Sequence, residues 1–270
     1  MCIRDSNDTI SIFYPDTAEP LGELPVIVFS AGWNQPRAAY EGYATQFAQW
    51  GYIGVIRAMP TYGLLGIDET HFDAQVDHQR RILDLLAQLN ENAASPLCGM
   101  IDTARVGATG HSVGGGVALR SALRDDRVIA AAPLDVTYEN SLLAAYRDDL
   151  ASSDAALLYI RATHAGYCGR PLGGAVDLFD LTSAPTLELS IQGADHMDFE
   201  DSLIGLNYGA LLICPHGPAD PQAVRDITSR YMIAWFNVYL KGLDKYRDYF
   251  DGPESRQDIE SGLVAVRAKL

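Results

Sequence analysis

Positive charge is scarce in this chain. Lysine occurs only at Lys241, Lys245 and Lys269, and the 20 Lys and Arg are outnumbered by 35 Asp and Glu, a formal net charge of −15. A nucleic-acid groove needs clustered cations; there is no cluster, so nucleic-acid partners are not expected. The acidity reads as a solubility device rather than a docking surface. Long apolar runs are missing too. None approaches 18 residues, the length a bilayer-spanning helix needs, so no membrane span is expected. Cysteine is sparse, with four in 270 residues, no Cys-x-x-Cys and no metal-ligand spacing. That removes the zinc and iron–sulfur frameworks. No Gly-Lys-Ser or Gly-Lys-Thr follows a glycine run, which removes a phosphate loop for phosphoryl transfer. Neither metal nor cofactor is expected.

What is present suits one large α/β core: 48% of the residues are hydrophobic and 20% charged. The opening Met1-Cys2-Ile3-Arg4-Asp5-Ser6 fits neither a signal peptide nor a helix start. It looks like translated sequencing adapter, as in a metagenomic reading frame. The expectation is therefore an artefact over 1–6 and a single α/β domain over 7–270. On that reading a signal peptide could be lost, leaving a secreted or periplasmic location open. Setting Cys2 aside, Cys98, Cys168 and Cys214 remain, and Cys168 with Cys214 is the candidate disulfide.

Strand and helix patterns alternate. Thr9–Tyr14 alternates like a strand, and Leu24–Ser30 is a continuous apolar run typical of a central parallel strand. A helix is expected over about 37–49, a strand over 52–56, and a helix over 72–90 with Val76, Ile82, Leu83, Leu86 and Leu89 on one face. Further strands are expected at 106–108, 128–134, 155–160 and 185–191. In the last long helix Asp220 caps, Pro221 fits the first turn, Val224, Ile227, Tyr231, Trp235 and Val238 form the apolar stripe, and Gly242 stops it. This order predicts a mostly parallel sheet with helices on both faces. The stretches 161–183 and 200–219 read as irregular.

The chemical signal is Gly110-His111-Ser112-Val113-Gly114, entered by apolar Val106-Gly107-Ala108 and left by a helical run from Val117. Gly-x-Ser-x-Gly between strand and helix puts a serine on a tight turn. Its hydroxyl is lifted clear of the sheet, at a helix N-terminus that favours developing negative charge. Ser112 is the candidate nucleophile; the bland alternative is a glycine-rich packing turn. A serine needs a base, and the base needs an anion, in this architecture in the chain order serine, acid, histidine. His196, in Gly193-Ala194-Asp195-His196, follows the last of the expected strands and is the candidate base, with His164 in reserve. His216 reads as loop, His71 and His78 as helix-boundary and helix-surface residues, and His111 as packing. Asp135, at the end of the strand next to the serine's, is the candidate acid; Asp177 and Asp180 remain alternatives. Asp135 could also be a helix N-cap or a strand-end hydrogen bond.

An oxyanion needs two backbone N–H donors. Val113 supplies one and Trp33, in the loop after the first central strand, the other. The Trp33 indole would wall the acyl pocket, unless it is simply a core anchor. Tyr138, Met197 and Phe199 are further pocket candidates.

These pieces resemble the α/β-hydrolase fold from about Ile10 to Gly242. The chain looks like the dienelactone-hydrolase-like and platelet-activating-factor-acetylhydrolase-like esterases, and more distantly the cutinase-like polyester hydrolases. The acetylhydrolases are similar in placing their acid after the earlier strand, as Asp135 is. Dienelactone hydrolases proper use cysteine where Ser112 stands. Ala31-Gly32-Trp33 is closer to the small-Gly-aromatic loop of polyester hydrolases than to the His-Gly of many relatives. The resemblance implies a cofactor-free carboxylic ester hydrolase with a small-molecule or polymeric ester as substrate. Two rival readings are a non-catalytic binding relative and a short-chain dehydrogenase. The second draws on Thr109-Gly110-x-x-x-Gly114-x-Gly116. That loop stands too far into the chain, and Asn237, Lys241 and Ala265 occupy the positions where a Tyr-x-x-x-Lys would need tyrosine.

Overall fold

The computed structural model describes residues 2–4, 10–17, 21–60, 69–136, 148–164, 174–183, 185–201 and 217–270. Among the described residues, nine strands form one sheet: β1 (Cys2–Arg4), β2 (Ile10–Phe13), β3 (Leu24–Ser30), β4 (Ile53–Arg57), β5 (Ile101–His111), β6 (Val128–Leu134), β7 (Ala156–Ala162), β8 (Thr186–Ile191) and β9 (Val264–Lys269). Their spatial order is β1-β2-β4-β3-β5-β6-β7-β8-β9. The six strands from β4 to β8 run parallel, and β1, β2 and β9 add antiparallel edges. The α-helices among the described residues are α1 (Glu41–Gln49), α2 (Glu69–Glu91), α3 (Val113–Arg124), α4 (Gly174–Leu181), α5 (Pro221–Lys241) and α6 (Pro253–Glu260).

The continuous apolar run of β3 is explained by burial on both faces. Val26 and Val28 join one core with Phe72, Leu83 and Leu86 of α2 and Val117 of α3. Ile27 and Phe29, pointing the other way, join a second core with Phe47 of α1 and Trp235 of α5. The α5 stripe is buried as its spacing requires, from Val224 through Trp235 to Val238. Asp220 accepts hydrogen bonds from the N–H groups of Gln222 and Ala223, and Gly242 stops the helix at φ 66°. Full burial of each large apolar side chain contributes roughly 1.5–3 kcal/mol.

Two expectations are revised. The strand entering the serine motif is 11 residues long, not a short apolar segment, because its first half is polar and half-buried. The irregular stretch 161–183 contains α4. The tail after Gly242 is ordered as a 3-10 turn at Asp244–Tyr249, α6, and β9 on the free edge of β8. The Cys168–Cys214 pairing, Tyr138 and His216 lie outside the described residues; Cys98 is a free, exposed thiol.

Candidate active site

β5 ends at His111, and α3 starts two residues later. Ser112 between them sits at φ 58°, ψ −120°, a conformation few non-glycine residues adopt. Backbone crowding explains the flanking glycines. A Cβ on Gly110 would lie 2.5 Å from both the Gly114 and Ser30 carbonyl oxygens. A Cβ on Gly114 would run into the Ser30 and Ala31 carbonyls, with the Ser30 carbonyl carbon at 2.7 Å. The Ser112 N–H is tied to the Leu134 carbonyl at 2.9 Å, so the elbow is pinned to the end of β6. Val113 is the first residue of α3, where the helix supplies no partner for the N–H.

Asp135 directly follows β6. Its backbone also takes a positive φ, 38°, and its N–H donates to the Ile160 carbonyl at 2.7 Å. One carboxylate oxygen accepts the Ala162 N–H at 2.9 Å; the other lies 2.6 Å from His196 Nδ1. Asp135 and His196 are both buried, at 7% and 6% exposure. A charge-assisted hydrogen bond of this kind fixes the Nδ1–H tautomer and leaves Nε2 as the basic nitrogen. His196 itself opens a short 3-10 turn, His196–Phe199, held by a capping box. Asp195 accepts the His196 N–H at 2.6 Å, and Asp198 accepts the Asp195 N–H at 2.7 Å. Its ring lies 4.5 Å from that of His111, the neighbour of Ser112. The ends of β5 and β6 and the turn after β8 thus meet at one sheet edge, where parallel sheets commonly bind ligands.

His164 lies at the same edge, but its Nδ1 is 2.8 Å from Asp195 and not from Asp135. Asp180 is exposed and pairs with Arg267 at 3.4 Å; of Asp177 the structure describes only the backbone. Trp33 is 36% exposed, so it is not a core anchor. Phe199 must be removed from the pocket candidates. It is wholly buried, stacks toward His111 at 5.8 Å, and its carbonyl accepts the Tyr43 hydroxyl at 2.9 Å. Met197 is 3% exposed.

Sequence reading missed the buried polar groups behind this edge. Tyr40 Oη lies 2.9 Å from His111 Nδ1 and 3.2 Å from Glu200 Oε1, and accepts the Gly32 N–H at 3.3 Å. These partners are 71, 160 and 8 residues from Tyr40, and no local pattern announces them. Burial, with the Glu200 carboxylate, holds the Tyr40 phenol far above its ordinary range. Burial, with the neighbouring His196, holds His111 well below the usual imidazole value, so it stays neutral.

A parallel sheet covered on both faces, with a serine elbow at one edge and a carboxylate–imidazole pair beside it, defines an α/β hydrolase. The PETase family model, described as PET hydrolase-like, matches residues 7–144, and the chain belongs to that family. It is a carboxylic ester hydrolase. Of the three groups the sequence resembles, this is the one from which it looked most distant. The matched span contains the Ser112 elbow and Asp135 and stops short of His196. No curated protein matches the chain. Among the described residues, no helix is long and apolar enough to cross a membrane.

Proposed function

We propose that the chain hydrolyses esters through an acyl-enzyme formed on Ser112, with His196 as base and Asp135 as its anion. The observation that carries this reading is the 2.6 Å contact between His196 Nδ1 and Asp135, both buried, beside a serine on a strained elbow. His196 Nε2 takes the Ser112 proton as the hydroxyl attacks the ester carbonyl. The backbone N–H groups of Val113 and Trp33 receive the oxyanion. His196 then gives the proton to the leaving alcohol, and water repeats the sequence on the acyl group.

The substrate we propose is a polyester, following the description of the family whose model matches the chain. The exposed Trp33 supports this: an apolar indole at the rim suits a chain segment lying across the edge. The test is a fluorophosphonate. It should label the wild type once and leave Ser112→Ala untouched. A p-nitrophenyl ester series should then be run beside amorphous polyester film. Turnover surviving Ser112→Ala would refute the nucleophile. Soluble esters cleaved without any release from film would refute the polymer substrate alone.

A further inference from the structure

Tyr40, His111 and Glu200 take no part in the scheme above, yet all three are buried, at 0%, 1% and 2% exposure. Each contact of Tyr40 reaches a different piece of the site. Gly32 precedes Trp33 in the loop after β3, His111 precedes Ser112, and Glu200 ends the turn that begins at His196. The Tyr40 segment is itself fastened to that turn. Asp201 N–H donates to the Ala39 carbonyl at 2.7 Å, Gly42 N–H to the Asp201 carboxylate at 2.5 Å, and the Tyr43 hydroxyl to the Phe199 carbonyl.

We propose that Tyr40 is a positioning residue whose hydroxyl sets the Gly32–Trp33 loop against the elbow and the base turn. The proposal rests on the reading of Ser112, His196 and the Trp33 N–H given above. Counting protons fixes the arrangement. A phenol oxygen has one proton and two lone pairs. The Gly32 N–H fills one lone pair. A carboxylate only accepts, so the phenol proton goes to Glu200. His111 must then donate its Nδ1–H into the second lone pair, and the hydroxyl is saturated. The opposite order would leave a phenol lone pair facing the Glu200 carboxylate at 3.2 Å. The raised phenol and lowered imidazole values both keep this neutral Tyr–His pair intact at working pH.

Tyr40→Phe keeps the ring, which packs 4.9 Å from Phe29, and deletes only the hub. With enzyme concentration fixed by fluorophosphonate titration, kcat on a soluble ester should fall about 10- to 100-fold, as for a donor displaced by a fraction of an ångström to an ångström. KM should change little. Affinity for an alkyl boronic acid, whose tetrahedral adduct uses the same N–H donors, should fall in parallel with kcat. A purely structural tyrosine would lower Tm and leave both values per titrated site intact, and that result overturns the proposal. Tyr40→Phe/Glu200→Gln also removes the carboxylate that the hydroxyl faces; it should not recover kcat. Recovery of kcat would also overturn the proposal. Should neither variant fold, the wild type decides by nitrogen NMR of its histidines. His111 carrying its proton on Nδ1 supports the hub, and a proton on Nε2 refutes it. If the wild type shows no Ser112-dependent turnover, the underlying site reading fails instead.

Discussion

Replacing Gly114 by alanine tests how closely α3 approaches β3. Elsewhere in an exposed helix the change would help, since alanine is about 1 kcal/mol better than glycine. Here the added methyl meets the Ser30 and Ala31 carbonyls, with the Ser30 carbonyl carbon at 2.7 Å. Overpacking costs about 1–3 kcal/mol where side chains can yield. These neighbours are backbone atoms at the end of a central strand, paired on both sides with β4 and β5. The expected net loss is therefore about 3–4 kcal/mol, against a typical total of about 5–15 kcal/mol. Gly116→Ala is the matched control. Its methyl meets Phe72 Cε1 at 2.7 Å, a buried side chain rather than backbone, so the net loss should be smaller, about 0–2 kcal/mol. Urea melts of the three proteins measure the stabilities, and fluorophosphonate titration the intact elbows. Gly114→Ala as stable as the wild type, with undiminished kcat, would show that close backbone approach is not what the glycine serves.

Asp135→Asn should lower kcat by about 10³–10⁴-fold, because an amide N–H facing Nδ1 stabilises the wrong tautomer; stopped-flow ester hydrolysis beside a Tm measurement separates this from unfolding. Asp220→Ala removes the acceptor for two N–H groups of α5 and should cost about 1 kcal/mol in a urea melt, with no change in kcat per titrated site. His111 is held below its ordinary value of 6.5, first by burial and then by His196, and burial with the Arg57 and Arg81 charges lowers His78 to about 4. In both cases the unfolded chain takes up the proton first. Stability present above pH 6.5 is therefore lost as the pH falls, and His111 alone steepens the slope between pH 6 and 5 by up to about 1.4 kcal/mol per unit. His111→Gln should flatten the Tm profile in that window, and an unchanged slope would contradict the burial argument.

The parts legible in the sequence are those with strong local causes. β3 shows itself by seven apolar or small residues buried on both faces, and α5 by an N-cap, a first-turn proline and a stop glycine. The elbow shows itself because only glycine fits beside Ser30. β9 was invisible: only Val264 of its six residues is buried, so no apolar run or clean alternation marks it. The polar first half of β5 hid for the same reason. Asp135 and His196 stand out as candidates by their places after strand ends, and the structure brings them within 2.6 Å of each other, while the Tyr40 contacts join segments 71 and 160 residues apart. Phe199 was misplaced because an aromatic near a base reads equally as pocket wall or as buried support, and burial decides between them.

The C-terminal strand carries an implication for anyone trimming this enzyme. β9 runs the whole length of β8, from Thr186 opposite Lys269 to Ile191 opposite Val264. β8 ends at Ile191, five residues before His196. Cutting back to the end of α5 would bare the amide ladder of the strand that leads to His196, an invitation to intermolecular pairing. Minimal versions for display or fusion should keep this flap and attach their cargo beyond it.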